Sequence, residues 1–131
     1  AIQLVEEFGL LSVLDRETHG FSHGMSRRLS VLLAALASQR VLILDEPFDG
    51  VDPLGVNATR TVIKRAKEAG LAVLVSTHLL RLLTSVSDDI AVMVAGTVVE
   101  QRPSAFFARD KGEEHYEALL RGDGSALART P

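Results

Sequence analysis

Two adjacent carboxylates, Asp45 and Glu46, directly follow an aliphatic run, Val41 to Leu44, and precede Pro47. Neighbouring carboxylates repel each other unless a cation or a reacting group uses them. One could hold a hard metal ion through oxygen, and the other could take a proton from water. The alternative is an ordinary strand followed by an acidic turn, in which Pro47 only ends the strand.

Two further polar segments could do chemistry: one follows a second aliphatic run, and the other precedes a helical pattern. His78 stands just past the run Leu71 to Val75, and the segment Phe21 to Met25 reads FSHGM. Ser22 suits a helix N-cap, and the free N–H groups and dipole at a helix start attract phosphate. A lone histidine at a strand end is more often structural, and Ser22 could be only a cap.

The elements that must position these groups alternate between strand and helix. Each aliphatic run has strand length and no polar face, which predicts strands buried on both faces in a parallel α/β sheet. Such sheets bind ligands at the carboxyl ends of their strands. Leucines at helical spacing predict a helix over about residues 23–38, and Asp52-Pro53 predicts the start of another that ends near Gly70. Asp52 could act only as the cap of that helix or could also serve an interface.

The rest of the chain predicts shorter elements. They are one or two short helices in residues 1–14, a helix in 79–87, strands at 90–94 and 97–100, a short helix after Pro103, a helix at 113–120 and a frayed end from 122 to 131.

Composition excludes several classes of protein. The 131 residues are 47% hydrophobic with a net charge of −3, so neither disorder nor nucleic-acid binding is indicated. The absence of cysteine excludes disulfides and thiolate metal sites. The longest apolar run, Val31 to Ala37, is far shorter than the ~18 residues of a membrane span. The chain starts at Ala1 without a methionine, and we expect a piece of a longer protein.

Taken together, the order and spacing of these features over about residues 1–108 resemble the ATP-binding domain of ABC transporters. In that family a signature written LSGGQ begins a helix, a Walker B strand ends in Asp-Glu, a D-loop leads to an Asp-Pro-like helix start, and a lone histidine ends the next strand. The resemblance implies an α/β fold of the P-loop NTPase type, a parallel sheet flanked by helices with part of the helical subdomain. Residues 1–38 would end that subdomain, 39–108 would form the C-terminal part of the ATPase core, and 109–131 a helix and tail.

The resemblance also implies roles for single residues. Glu46 would polarise the attacking water as general base, and His78 would reach the γ-phosphate and help orient that water. Asp45 would hold Mg²⁺ through water. The signature residues, implied to be Ser22, His23 and Gly24, would contact ATP held by the opposite subunit. The D-loop residues, implied to be Asp49, Gly50 and Asp52, would lie at the dimer interface.

Several positions depart from the family pattern. His23 replaces a glycine, so its side chain must point away or join the phosphate contact. Met25 replaces a glutamine, and Asp49 stands where a serine is common. Signatures of the type Ser-His-Gly-Met resemble those of exporters whose ATPase and permease are separate chains. Arg27 and Arg28 are expected to lie on a solvated helix face.

The phosphate-binding motif GxxxxGK[ST] is absent, because no lysine of this chain (Lys64, Lys67 and Lys111) follows a glycine. The resemblance therefore implies the C-terminal half of the domain without Walker A, and we expect this fragment alone to bind no ATP or Mg²⁺. In the family the Walker A strand lies between the strand before His78 and the strand at 90–94. We expect the last strands to close that gap or a second copy to pair with the exposed strand edges.

The leading hypothesis is therefore part of an ABC transporter ATP hydrolase that uses ATP and Mg²⁺. The resemblance implies a homodimer of such subunits, a separate membrane permease and a cytoplasmic location at the inner face of the membrane. One alternative is a non-catalytic module that completes a partner's ATP site. Another is an unrelated Mg²⁺-dependent α/β hydrolase, which would need further carboxylates at other strand ends, where His78 and Ala95-Gly96 stand.

Overall fold

The chain forms two compact units, Ala1–His78 and Leu79–Pro131. The structure is a computed structural model and describes residues 2–122. Every predicted site residue lies in the first unit, because the boundary falls directly after His78. The predicted division at residues 38/39 and 108/109 stays a prediction about function.

The first unit alternates helices and strands as its sequence predicts. Its elements are α1 (Ile2–Glu7), two short 3₁₀ turns (Leu11–Val13 and Thr18–Gly20), α2 (His23–Ala37), β1 (Val41–Asp45), α3 (Pro53–Glu68) and β2 (Ala72–Ser76). Helix α2 begins after its N-cap Ser22 and α3 after its N-cap Asp52. Each cap side chain accepts a hydrogen bond from a backbone N–H that the first turn leaves free. Both helix starts lie near the carboxyl end of β1, because Arg27 in α2 contacts Asp45 and α3 follows β1 after a short loop.

Strands β1 and β2 are parallel, with Val41 opposite Ala72 and Asp45 opposite Ser76. Helix α2 packs against β1 and α3 packs against β2. The buried side chains on this side include Leu42, Leu44, Val31, Leu32, Ala58, Val62 and Ile63. The parallel sheet flanked by helices is therefore confirmed.

The prediction that these strands are buried on both faces is wrong for the described residues. Val41, Ile43 and Leu74 are 52%, 64% and 64% exposed. They occupy alternate positions of the strands, on the face opposite Leu42 and Leu44, because successive side chains of a strand point to opposite sides. The two helices cover only one face, so the strands alternate between buried and exposed positions.

The second unit is a hairpin with helices. Its elements are α4 (Leu80–Val86), β3 (Asp89–Val94), β4 (Thr97–Pro103), α5 (Ser104–Phe107) and α6 (Gly112–Arg121). β3 and β4 are antiparallel and joined by Ala95 and Gly96, both with positive φ (48° and 79°), as a tight hairpin turn requires. The core consists of Leu80, Ile90, Val92, Phe107 and Leu119. The predicted frayed end falls almost wholly on residues 123–131, outside the described residues.

Glu100 ties β4 to α6 within the second unit. Its Oε2 lies 2.7 Å from Nε2 of His115, and its Oε1 accepts a hydrogen bond of 2.7 Å from Nε of Arg102. Burial acts to raise the pKa of Glu100, but the hydrogen bonds from Arg102 and His115, together with their charges, hold the pKa below its ordinary value. The carboxylate is therefore stabilised in its charged form.

The strands of the two units form separate sheets. Among the described residues β2 pairs only with β1, and β3 only with β4. The expected closure of a gap by the last strands is thus not observed, and pairing of strand edges with a second copy stays a prediction. Within residues 2–122, no helix has the length and apolarity that crossing a membrane requires.

Candidate functional site

The carboxyl ends of β1 and β2 meet at Asp45 and Ser76, which are partners in the strand register. The Ser76 hydroxyl donates a hydrogen bond to Oδ1 of Asp45. The backbone N–H of Glu46 approaches the Ser76 carbonyl oxygen at 3.0 Å and the Ser76 Oγ at 3.1 Å. Ser76 therefore holds both acidic residues at the rim of the sheet.

Glu46 combines a strained backbone with an unused oxygen atom. Its φ of 44° lies in the left-handed region, which a non-glycine residue rarely adopts and which is common at functional sites. Nδ1 of His78 lies 3.3 Å from Oε1 of Glu46 in hydrogen-bond geometry. Oε2 is only 3.2 Å from the same nitrogen, yet it is buried and accepts no hydrogen bond from any described residue. The carboxylate therefore has one oxygen whose hydrogen-bonding capacity no described residue uses.

A carboxylate in this arrangement can act as a general base. A water molecule donating to the exposed part of the carboxylate could transfer a proton to it, and the imidazole beside Oε1 fixes the carboxylate's orientation. His78 is 64% exposed, so its ring can also reach a bound molecule. The geometry brings Glu46 and His78 together, while their catalytic roles stay a proposal.

Asp45 fits a magnesium ligand of the water-mediated kind. It is exposed at the rim, and a hydroxyl donor already orients one of its oxygens. The described residues contain no cluster of three or more His, Cys, Asp or Glu side chains that could enclose a metal ion. Mg²⁺ commonly binds through one or two carboxylates and keeps several waters, which matches a single acid rather than a cage.

The signature segment forms the first turn of α2 and packs against the loop that follows β1. Ser22 Oγ accepts from the Met25 backbone N–H at 3.2 Å. A Cβ added to Gly24 would lie 2.8 Å from the carbonyl oxygen of Gly50, so only glycine fits there. The start of α2 and the D-loop segment are therefore in close backbone contact within one chain.

His23 turns toward the same loop. Its Nε2 lies 3.7 Å from Oδ2 of Asp49, and its ring occupies the space where Gly50 would carry a side chain. Gly50 has φ of 64°, a conformation that favours glycine. The His23 side chain is thus directed at the loop, and whether it joins a phosphate contact stays a prediction.

Arg27 and Arg28 connect the helix to its surroundings. NH1 of Arg27 donates to the backbone carbonyl of Asp45 at 3.3 Å. Arg28 has a side chain only 13% exposed, donates to the Phe8 carbonyl at 3.0 Å and lies 3.9 Å from Asp52. The interpretation as a solvated face is wrong for Arg28, because its position on α2 turns it toward α1 and the start of α3.

Asp52 caps α3 by accepting a hydrogen bond from the Gly55 N–H at 2.9 Å. It also has Arg28 as a charged neighbour.

The predicted residues thus form two groups. One contains Asp45, Glu46 and His78, and the other contains Ser22, His23, Gly24, Asp49, Gly50 and Asp52. Arg27 links them through the Asp45 carbonyl. No role was predicted from the sequence for Ser76 or Arg27. Ser76 lies opposite Asp45 because the two strands have equal length, and the long-range contact of Arg27 has no sequence pattern.

The chain resembles known proteins in sequence. Residues 1–49 match the ABC transporter family. The chain is 31% identical over 101 residues to a lantibiotic transport ATP-binding protein, SrtF, of Streptococcus pyogenes, covering 77% of this chain and 44% of that protein. It is 38% identical over 103 residues to the ABC transporter ATP-binding protein YcbN of Bacillus subtilis, covering 77% of this chain and 34% of that protein. The chain therefore spans less than half of the length of these relatives.

The fold resembles a solved ATP-binding subunit of an ABC transporter. The match has a TM-score of 0.77 and 27% identity, and it covers 91% of this chain and 52% of that subunit. The likeness extends over both units, whereas the family match in sequence is limited to the first.

Proposed function

We propose that this chain, which carries part of an ABC transporter ATP-binding domain, contributes two groups of residues to an ATPase within a longer protein. One group activates the attacking water, and the other is the signature segment that contacts a second nucleotide. The observation that supports this proposal most is the geometry around Glu46. Glu46 stands at the end of a strand with a left-handed backbone, a histidine on one oxygen and a free, buried second oxygen. A carboxylate held in this way suits a base that takes a proton from water.

In the proposed reaction, Glu46 accepts a proton from a water molecule that attacks the γ-phosphorus of ATP. The bond from that phosphorus to the bridging oxygen breaks, which gives ADP and phosphate. His78, beside Glu46, orients the carboxylate and donates toward a phosphate oxygen. Mg²⁺ held by Asp45 through water would neutralise charge on the phosphates. Ser76 keeps Asp45 and Glu46 at the rim, so neither has to move before the reaction.

The signature group would act on a second nucleotide. The free N–H groups at the start of α2, behind the cap Ser22 and at Gly24, suit a phosphate held by a second subunit. Asp49, Gly50 and Asp52 would lie at that interface. We propose a homodimer that drives a separate permease, located in the cytoplasm at the inner face of the membrane.

The experiment that tests the proposal is Glu46→Gln in the longer protein. We expect ATP binding to persist and the rate of hydrolysis to fall by roughly 10²- to 10⁴-fold, because the amide keeps the shape and removes the base. Steady-state hydrolysis and equilibrium nucleotide binding separate the two effects. The control is Glu68→Gln near the exposed end of α3, which removes the same charge away from the site. Equal loss of binding and hydrolysis in Glu46→Gln would make Glu46 a structural support.

For the 131-residue chain alone we propose that ATP is not bound tightly, because the lysine and glycine loop that cradles phosphates is not in its sequence. Calorimetry with ATP and Mg²⁺ should show no heat of binding at micromolar protein. Tight, Mg²⁺-dependent binding would contradict the reading of this chain as one half of a site.

A further inference from the structure

Arg28 of α2 is a largely buried cation that the proposed chemistry does not use. Its side chain is 13% exposed, and its NH1 donates a hydrogen bond of 3.0 Å to the carbonyl of Phe8, a residue without exposed surface. We propose that Arg28 is a positioning residue that holds the signature segment, residues 21–25, in one placement relative to the start of α3. What this means for hydrolysis rests on the proposed function, but the contacts themselves do not.

The hydrogen bond to Phe8 closes the part of the chain that carries the signature segment. Phe8 directly follows α1, and a helix leaves its last carbonyl groups without partners inside the helix. Phe8 and Arg28 are 20 residues apart, and the signature segment lies between them. The bond therefore ties both ends of this stretch together, one at the end of α1 and the other on α2.

The methylene groups of Arg28 lie against the first turn of α3. A Cβ added to Gly55 would be 2.6 Å from Cδ of Arg28 and 2.4 Å from Cγ1 of Val51. At the other end of the side chain, a Cβ added to Gly9 would be 3.1 Å from NH1. A helix ordinarily favours alanine over glycine, so the space that Arg28 and Val51 occupy explains the glycine at position 55.

The contact face of α2 meets the loop and the start of α3 at two points. Gly24 and Arg28 lie on one face of α2, because residues four apart are neighbours on a helix surface. Gly24 is in close contact with the Gly50 carbonyl, and Arg28 is in close contact with Gly55. The two contacts fall on either side of Asp52, so a shift of the signature segment relative to the D-loop would break at least one of them.

An apolar residue at position 28 would avoid a cost that the arginine carries. The Nε of Arg28 is buried and has no hydrogen-bond partner among the described residues, and a buried donor without a partner is unfavourable. Asp52 compensates little, because its Oδ2 is 3.9 Å from NH1 and its side chain is 54% exposed. A methionine would fill similar space without the unsatisfied donor. What the arginine adds is the directed bond to Phe8, which favours positioning over packing alone.

Arg28→Met separates these two roles. In this chain the change leaves the Phe8 carbonyl without its donor but also removes the unsatisfied Nε, and the two effects are of similar size. We therefore expect the urea midpoint of unfolding to move by no more than roughly 0.5 M. In the longer protein kcat for ATP hydrolysis should fall by roughly 10- to 100-fold, because the signature segment is misplaced, while equilibrium nucleotide binding is unchanged.

Two variants accompany this measurement. Arg28→Lys keeps a donor on a long stem and should restore much of the rate. Arg60→Met removes the same charge from an exposed position of α3 and should leave both the midpoint and kcat unchanged. The positioning role is overturned if the rate of Arg28→Met falls only as far as the loss of folded protein accounts for, or if Arg60→Met loses as much.

The contact between Arg28 and Gly55 has its own test in this chain. Gly55→Ala should lower the urea midpoint, although alanine is the better helix former, because its Cβ meets Arg28 and Val51. In the Arg28→Ala background only the Val51 contact remains, so the same change should cost less. Equal losses in the two backgrounds would contradict the contact.

The deciding experiment mixes two impaired subunits of the longer protein. In a dimer of Arg28→Met with Glu46→Gln, one ATP site combines the intact Glu46 of the first subunit with the intact signature segment of the second. Its rate of hydrolysis should equal that of a reference dimer of wild type with Glu46→Gln. A rate roughly 10- to 100-fold below the reference would mean that Arg28 supports Glu46 of its own subunit, and would overturn the proposal. Failure of the proposed function would appear differently, as hydrolysis by Glu46→Gln dimers at the wild-type rate while the Gly55 result stands.

Discussion

Thr59 offers the sharpest test of the packing of the first unit. It lies in α3 with no exposed surface, and its hydroxyl has no hydrogen-bond partner among the described residues. A buried hydroxyl left unsatisfied costs about 1–3 kcal/mol. Valine has the same branched shape and a similar helix propensity, with a methyl group in place of the hydroxyl. Thr59→Val should therefore raise the free energy of unfolding by about 1–2 kcal/mol.

The matched control lies two residues along the same helix. The Thr61 hydroxyl donates to the Asn57 carbonyl at 3.0 Å near the surface. Thr61→Val makes the same chemical change without removing an unsatisfied group, so it should alter the free energy of unfolding by no more than about 0.5 kcal/mol. Comparing the two variants cancels differences in propensity.

Urea unfolding followed by circular dichroism is a suitable assay. With a slope of about 1–3 kcal/mol per molar urea, the expected gain moves the midpoint of Thr59→Val upward by roughly 0.3 to 2 M. A midpoint that falls, or that matches Thr61→Val, would refute the reasoning, because it would mean that the Thr59 hydroxyl has a partner in solution.

Three further outcomes are expected. Ser76→Ala should cost only about 1 kcal/mol in urea unfolding, because exposed Asp45 can bond water instead, yet it should slow hydrolysis by the longer protein roughly ten- to a hundred-fold. If the rate of hydrolysis falls by no more than the loss of folded protein accounts for, Ser76 does not position Asp45 and Glu46. The depressed pKa of Glu100 means that its contribution to stability is present above the ordinary value of 4.5 and is lost as pH falls through the folded-state pKa. The urea midpoint should therefore drop on acidification below about pH 4.5 more steeply in wild type than in Glu100→Gln, and parallel curves would contradict this. Gly112→Ala should destabilise the second unit by about 1–3 kcal/mol despite the better helix propensity of alanine, because its Cβ would lie 2.1 Å from a carbonyl oxygen of α5. An unchanged thermal midpoint would show that α5 and α6 can move apart at little cost.

Local sequence patterns were sufficient to predict the elements. The helix that begins after Ser22 and the one that begins after Asp52 start where predicted, because an N-cap is a property of a few adjacent residues. The hairpin was likewise predictable from two strand-length runs joined by Ala95 and Gly96, although Ala95 takes a positive φ that alanine rarely adopts. Asp45 and Glu46 were found as an acid pair because they follow a strand directly.

Contacts between distant segments were not predictable in the same way. An aliphatic run such as Val41 to Leu44 does not reveal whether one face or two will be covered, since both cases give the same residues. The burial of Arg28 depends on which side of α2 meets α1 and α3. The contact between His23 and Asp49 joins residues 26 positions apart, and no local pattern connects them.

Among the described residues, the two buried side-chain oxygens without a hydrogen-bond partner, in Glu46 and Thr59, have different meanings. The Thr59 hydroxyl lies in a fully buried residue, so no ligand can reach it and it only reduces stability. Oε2 of Glu46 is itself buried, but the rest of its side chain is 35% exposed, at the end of a strand and beside the more exposed His78. The left-handed backbone there adds a cost of about 1–3 kcal/mol, which the bonds from its N–H to Ser76 help to offset. A strained residue with a partly exposed carboxylate at the rim of a sheet suits a reaction, whereas a core defect has none of these features.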